Sequence, residues 1–207
     1  MIVTAHQPNF LPGASVIQKV LASDAVIWLD EVQYSKGGWT NRNRVGGSWV
    51  TVPVDRATDG GAINRVRIAE HAGWREKAIR TLRQHYGAAT QIEEALSRPY
   101  RLLVGLNVAL LRLILDNLTP VYNPGPLWAF QSHLDGGHAV TAVADDAPAL
   151  RPISERLALM VAELGGHVYL SGPSGRHYLD ETPFAERGIE VSYWRHEGPN
   201  PCALELL

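Results

Sequence analysis

The sequence predicts an α/β fold, with one domain, a mainly parallel sheet flanked by helices, and a site at the carboxyl ends of the strands. The apolar runs Ile2–Ala5 and Ala25–Leu29 are typical of strands buried on both faces, as in parallel sheets. Between them, Val16, Ile17 and Val20 recur at helical spacing. The three segments therefore predict a strand–helix–strand unit with a right-handed crossover.

The remaining elements follow from the same periodicities. A helix begins at Ile153 and is stopped by Gly165 and Gly166, and strands follow at HVYLSG and GIEVSYW. In the middle of the chain, strands are predicted at SWVTVPV and Val66–Ile68, and helices at Trp74–Tyr86 and Tyr100–Leu118. The proline- and glycine-rich TPVYNPGPLWAF and the polar HLDGGHAVTAVADDAPALRP are predicted to be loops.

Composition limits the function classes. The 207 residues suit one domain, and the net charge of −2 gives no field that would hold nucleic acid or an anionic membrane. The single cysteine excludes an internal disulfide and suits a reducing, cytoplasmic setting. No secretory signal opens the chain, and the most apolar stretch carries Asn107, Arg112 and Asp116, so no membrane insertion is expected.

Polar side chains follow the first two predicted strands. His6 ends the first strand and is followed by Gln7 and Asn9, and Asp30 ends the second. Neighbouring parallel strands would bring His6 and Asp30 together, where the carboxylate would fix the imidazole tautomer and raise its basicity. That is the arrangement of a general base. The alternative is that His6 donates to a backbone carbonyl and pins the turn.

The segment LDEVQYSKGGWTNRNRV is dense in groups that recognise small molecules. Its guanidiniums can hold a carboxylate or phosphate, its amides can read hydroxyls, and its rings offer flat faces to a sugar or base. Tyr34 joins His6 and Asp30 as a candidate catalytic residue. Candidate substrate-binding residues are Gln7, Asn9, Gln33, Lys36, Trp39, Asn41, Arg42 and Asn43. The alternative is a solvated hairpin turning at Gly37 and Gly38.

A third polar stretch, SGPSGRHYLDE, follows a late predicted strand. Ser171, Arg176, His177 and Tyr178 are candidate binding residues there, with Ser174 and backbone amides at Gly172 and Gly175 available to cradle an anion. The alternative is an ordinary turn.

Other chemistries have weak support. The chain has no GxxxxGK[ST] or GxSxG motif, and Cys202 has no nucleophile motif around it. His133, Asp135 and His138 lack a second ligand cluster and are interpreted as a solvated loop. No metal and no cofactor are predicted.

Several motifs carry a family resemblance. AHQPNFLPG, LDEVQYSKGGWTNRNRV, WVTVPV, VYLSGPSGRHYLDE and GIEVSYW resemble the WbqC-like protein family in order and spacing, over nearly the whole chain. The resemblance implies a role in surface-polysaccharide (O-antigen) or natural-product biosynthesis, where one member is proposed to transfer glycine. The chain departs from the family pattern at Gly13, where a bulky residue is usual. It also departs at PCALELL, which resembles only the start of a last element, so the chain is expected to be either naturally short or truncated there.

These features favour a biosynthetic transferase that joins an acyl or aminoacyl group to an amine or hydroxyl of a sugar or small metabolite. The expected partners are a small-molecule substrate and a thioester donor on a carrier protein or coenzyme, or an activated phosphate, with no nucleic acid. One alternative is a nucleotidylyl-type transferase, although the paired histidines of HxGH are absent. The other is a non-enzymatic binding module of a carbohydrate pathway.

Overall fold

The computed structural model describes residues 1–71, 73–88, 90–119, 125–134 and 153–206, which form two compact units. The first unit comprises Met1–His6, Gln18–Leu29 and Pro126–Gly198. The second comprises Gln7–Ile17, Asp30–Gly125 and Pro199–Leu207. The single domain over residues 1–207 stays a prediction.

The described elements are numbered in chain order. The strands are β1 (Ile2–His6), β2 (Ala25–Trp28), β3 (Arg42–Val45), β4 (Ser48–Thr51), β5 (Leu127–Phe130), β6 (Val168–Ser171) and β7 (Glu190–Tyr193). The α-helices are α1 (Ala14–Leu21), α2 (Trp74–Tyr86), α3 (Thr90–Ser97), α4 (Leu103–Leu118), α5 (Ile153–Glu163) and α6 (Thr182–Ala185). None of these helices is long and apolar enough to cross a membrane.

The first unit contains a five-stranded parallel sheet in the order β5-β2-β1-β6-β7. The predicted α/β class and parallel sheet are thereby confirmed. After β1, the strands β2 and β5 are added on one side of β1. The strands β6 and β7 are then added on its other side. The strand order therefore reverses between β1 and β6.

Apolar burial explains why these segments form the sheet. All four residues of β2 are buried, as the continuous apolar run predicts. Tyr169 of β6 stacks on Phe184 of α6 with ring centroids 5.1 Å apart, within a core that includes residues of α5. Gly166 follows α5 because a Cβ there would lie 2.6 Å from the Val3 side chain. The predicted helix stop is confirmed, since α5 ends at Glu163.

Three details of the sequence prediction were wrong. Residues 127–130 were predicted as loop but form β5. They follow Pro126 directly and pair with β2, with Leu127 opposite Ala25. Val66–Ile68 makes only isolated bridges at Arg67 and Ile68, and α3 was not predicted. The second predicted loop lies largely outside the described residues, which resume at residue 153.

The second unit contains the β3–β4 hairpin and helices α2 to α4. The hairpin turns at Gly46 and Gly47, with φ of +51° and +82°, rather than at Gly37 and Gly38. Two adjacent residues at positive φ are what a tight two-residue hairpin turn needs. The side chain of Arg83 on α2 binds Glu93 on α3 with an N–O distance of 2.6 Å.

Candidate functional site

The strongest candidate site lies where the strand order of the parallel sheet reverses. β1 ends at His6, its neighbour β6 ends at Ser171, and Val3 pairs with Tyr169. In open α/β sheets, ligands bind beyond the carboxyl ends of the strands at this switch point. The strand predicted at HVYLSG lies in the same parallel sheet as β1, so His6 and the segment after Ser171 lie at the same edge of the sheet.

The imidazole of His6 is held in its neutral form. Burial is the larger cause and the positive charge of Lys19 the smaller one, and together they lower the pKa of His6 from 6.5 to about 3. A neutral imidazole can accept a proton at physiological pH. A titratable group shifted by burial and by a specific charge is also a mark of functional sites.

Lys19, the source of that charge, was not singled out in the sequence. It is buried on α1, and its Nζ donates to the Ala5 carbonyl oxygen at 3.0 Å. Burial lowers the pKa of Lys19 from 10.5 to about 8. The carboxyl end of β1 thus holds a neutral imidazole beside a desolvated amine.

The segment after β6 forms a short 3-10 turn over Pro173–His177. The Gly175 amide donates to the Gly172 carbonyl at 3.0 Å, so this amide is engaged within the turn rather than freed for an anion. Glycine is needed at position 175 because there is no room for a side chain. A Cβ there would lie 2.1 Å from the Ser171 Oγ, which is buried against the turn.

Arg176 is the cation that this turn presents. Its guanidinium lies 4.2 Å from the centre of the Tyr193 ring, and Tyr193 donates its hydroxyl to Glu181 at 2.6 Å. That hydrogen bond is the main cause that raises the pKa of Tyr193. His177 and Tyr178 are exposed. The turn therefore offers an oriented guanidinium near the carboxyl end of β7.

In the second unit, the first and second sequence motifs meet. The Phe10 amide donates to the Trp39 carbonyl at 3.2 Å, and the Asn43 side-chain amide donates to the Leu11 carbonyl. Leu11 has a φ of +42°, a conformation rare outside glycine, at the centre of this loop. Gln7 and Asn9 are therefore grouped with Trp39 to Asn43.

The side chain of Asn107 on α4 contacts both of these loops. This structural role was not predicted from the sequence. The side chain is fully buried, and its Nδ2 donates to the carbonyls of Pro8 at 2.6 Å and Thr40 at 2.8 Å. The sequence signal was an amide on the apolar face of the helix, four residues after Leu103 and four before Leu111. Its role is to hold the two motif loops on α4.

The other predicted residues of this unit occupy varied settings. Tyr34 is buried, and its pKa is raised by burial first and by Asp59 second, so its phenol stays a donor. The Asn41 side chain donates to the Val52 carbonyl at 2.8 Å. Gln33 and Lys36 are exposed.

The predicted pairing of His6 with Asp30 joins residues of different units. Asp30 is buried in the second unit, where its carbonyl accepts from the Asn64 amide at 2.8 Å. His6 closes the first segment of the first unit. The pairing stays a prediction, and so do the catalytic and binding roles of the individual residues.

The departure from the family pattern at Gly13 has a structural cause. A Cβ on Gly13 would lie 2.7 Å from the Asn200 Oδ1, which accepts from the Ser15 amide at 2.8 Å. Cys202 then bridges back to Gly13, and the Ala203 amide donates to the Pro12 carbonyl at 2.8 Å. Within the second unit, Asn200, Cys202 and Ala203 thus pack directly on the end of the first motif.

A pH titration tests the environment of His6. The unfolded chain binds a proton at His6 near pH 6.5 but the folded chain only near pH 3. The free energy of unfolding should therefore fall as pH drops through this window, by about 1.4 kcal/mol per pH unit for this one group. Nuclear magnetic resonance of the His6 ring, with urea unfolding of wild type and His6→Gln, measures both effects.

Lys19→Met separates the two causes. Removing the ammonium should raise the His6 pKa only part of the way to 6.5, because burial is the larger cause. A His6 resonance that titrates near pH 6.5 in the wild type would contradict the buried, neutral assignment.

Fold and site together define a parallel α/β protein with a candidate ligand crevice at its switch point. The chain belongs to the WbqC-like protein family, whose model matches residues 7–201, and the resemblance seen in the sequence is thereby confirmed. It is 28% identical to the uncharacterized protein Rv1507c of Mycobacterium tuberculosis over 210 residues, which cover 95% of this chain and 83% of that protein. No solved structure matches the chain.

Proposed function

We propose that the protein is a biosynthetic transferase that joins an acyl or aminoacyl group, such as glycyl, to an amine or hydroxyl of a sugar or small metabolite. The observation that carries the proposal is the neutral, half-buried His6 at the switch point beside Lys19. A proton acceptor at this position is what activation of a weak amine or hydroxyl nucleophile requires.

The proposed step transfers the group from a thioester. An imidazole nitrogen of His6 accepts the proton of the acceptor amine or hydroxyl. The acceptor nitrogen or oxygen bonds to the acyl carbon, the carbon–sulfur bond breaks, and the proton passes to the leaving thiolate.

In this proposal, binding of the donor raises the pKa of His6. A pKa of about 3 makes free His6 a weak base. The negative charge of a bound donor would offset the Lys19 ammonium and raise the His6 pKa toward the working pH, where general bases are most effective. The base would thus become stronger when substrate is present.

The 173–177 turn suits the donor. Arg176 is held on the Tyr193 ring and can pair with a phosphate or carboxylate, as carried by coenzyme and carrier-protein thioesters. In the second unit, Gln7, Asn9, Trp39 and Arg42 stay candidate binding residues.

A donor screen tests the reaction class. Purified protein is incubated with acyl and glycyl thioesters of coenzyme A and pantetheine, or with nucleoside triphosphates, in the presence of amino sugars, and products are read by mass spectrometry. An acylated amino sugar with release of free thiol supports the proposal. His6→Gln, tested in parallel, should make at least about 100-fold less product.

A nucleotidylyl transferase is the second candidate, because a reversal in a parallel sheet is where nucleotides commonly bind. In the same screen it would release pyrophosphate and form a nucleotide-linked sugar. That product would overturn acyl transfer. Binding of sugars without any product would instead favour a non-enzymatic module.

A further inference from the structure

The outer face of the β3–β4 hairpin carries an unusual group of side chains. Arg42 and Arg44 on β3 lie opposite Thr51 and Trp49 on β4, so these four side chains share one face. Trp39 lies beside them, with its ring centroid 5.6 Å from that of Trp49. We call this group, with Lys77, the hairpin surface, and its members are Trp39, Arg42, Arg44, Trp49, Thr51 and Lys77.

Both tryptophans of the hairpin surface are open to solvent. Trp39 is 55% and Trp49 is 42% exposed, and the two rings are tilted by 34°. Large aromatic rings left exposed next to each other indicate a binding surface rather than core packing. The opposite face of the hairpin, with Asn43, Val45 and Val50, is already buried and supplies the stability of the element.

Cations flank the rings. The Arg42 and Arg44 guanidiniums lie 4.3 Å and 5.1 Å from the centre of the Trp49 ring. Arg42 also donates to the Gly37 carbonyl at 2.5 Å, which fixes its orientation. Among the described residues, no ion pair includes Arg42, Arg44 or Lys77. The surface therefore presents positive charge that an anionic group can meet.

A small cleft extends the surface toward α2. It measures about 100 Å³ and is lined by Trp49, Thr51, Trp74, Lys77 and Thr81 among others. Two hydroxyls and an ammonium beside two indoles suit a ligand with many hydroxyls, because such a ligand can hydrogen-bond at its edge while its face lies on a ring. A cleft of this size holds a substituent and leaves the body of the ligand on the open tryptophans.

We infer that the hairpin surface binds an anionic pyranoside, a sugar ring that carries a carboxylate or a phosphate. The ring would stack on Trp39 and Trp49, and its anionic group would pair with Arg44 and Arg42. Base stacking with a nucleic acid is disfavoured, since the whole chain has a net charge of −2 and offers no extended positive field. The inference concerns binding of this sugar alone and does not rest on the proposed function.

Binding is tested by calorimetry with three probes. A galacturonate tetramer carries carboxylates, glucosamine 6-phosphate carries a phosphate, and maltotetraose is a neutral control. One or both anionic probes should bind, with an affinity that falls as salt rises, and maltotetraose should bind at least about tenfold more weakly, equivalent to about 1.4 kcal/mol. The first two probes also identify which anionic group is preferred.

Variants assign the binding to this surface. Trp49→Ala and Arg44→Gln should each weaken the anionic probe about tenfold or more. Arg56→Gln, an exposed arginine of another turn, and Leu127→Ala, an exposed apolar residue of the first unit, should leave affinity unchanged. Both test residues are exposed, and circular dichroism confirms that the variants fold.

Several results would overturn the inference. They are equal affinity for maltotetraose, tighter binding of a ten-residue oligothymidylate at physiological salt, or a concentration-dependent dimer that Trp49→Ala abolishes. The proposed function fails separately. Sugar binding without transfer of any group leaves the inference standing and removes the transferase. Transfer of a group by a protein that binds neither anionic probe removes the inference and leaves the transferase.

Discussion

Replacing His6 with alanine is expected to lower turnover roughly 100-fold to 10,000-fold while the protein remains folded, because a positioned general base contributes about that much. The ring is half-buried and its charge is suppressed by burial and by Lys19, so it contributes little as a charged structural group. Single-turnover rates with the donor and acceptor identified by the screen give the loss, and melting temperature gives the stability of the same sample.

The matched control is His71→Ala, since His71 is exposed and lies in the second unit. Its turnover should equal that of the wild type. If His6 only pins the turn after β1, His6→Ala would melt at a lower temperature and keep nearly normal turnover in the folded fraction. A folded and fully active His6→Ala protein removes the catalytic assignment.

Asp30→Asn tests whether Asp30 orients His6. An orienting carboxylate should affect the rate more than the affinity, because it sets the imidazole tautomer. The effects of Asp30→Asn and His6→Ala should then be non-additive in the double variant. Additive losses would show that the two residues act independently.

The parallel sheet could be predicted because its strands are encoded locally. β1, β2 and β6 each coincide with a short, mostly apolar run, β7 lies within the predicted strand GIEVSYW, and Gly165 with Gly166 marks the end of α5. β5 was missed because its four residues follow a segment rich in proline and glycine. It is an edge strand that depends on pairing with β2, a tertiary contact that local composition does not encode.

The candidate site could be predicted only in part for a related reason. His6 was found because a polar residue directly after an apolar run marks a strand end. Lys19 was not identified, because helical spacing places it outside the apolar face formed by Val16, Ile17 and Val20. The sequence therefore predicts that its side chain is exposed. It is instead buried and hydrogen-bonded to Ala5. Burial of a charged side chain against a strand end is a property of the packed structure.

Asn107→Leu is expected to lower the free energy of unfolding by about 2 kcal/mol. The substitution leaves the buried carbonyls of Pro8 and Thr40 without their donor, at a cost of roughly 1–3 kcal/mol each. It also removes the Asn107 Oδ1, a buried acceptor that has no hydrogen-bond partner among the described residues, and this offsets roughly 1–3 kcal/mol. Urea unfolding followed by circular dichroism measures the net change.

Asn117→Leu is the matched control, because Asn117 lies on the same helix but is exposed. Its change should stay within about 0.5 kcal/mol. Asn107→Asp should destabilise more than Asn107→Leu, since it sets a carboxylate against the two carbonyls of Pro8 and Thr40. A leucine variant as stable as the wild type would show that the loops are held by packing of Phe10 and Leu11 alone.

The same variant links stability to binding. Trp39 immediately precedes Thr40, whose carbonyl Asn107 holds, so loss of that hydrogen bond should loosen one of the two rings of the hairpin surface. Affinity for the anionic pyranoside should then fall in Asn107→Leu and stay unchanged in Asn117→Leu, both measured well below the unfolding transition. Because Asn107 belongs to neither the hairpin nor the crevice, a lost affinity with an unchanged fold would identify α4 as the support that positions the two motif loops.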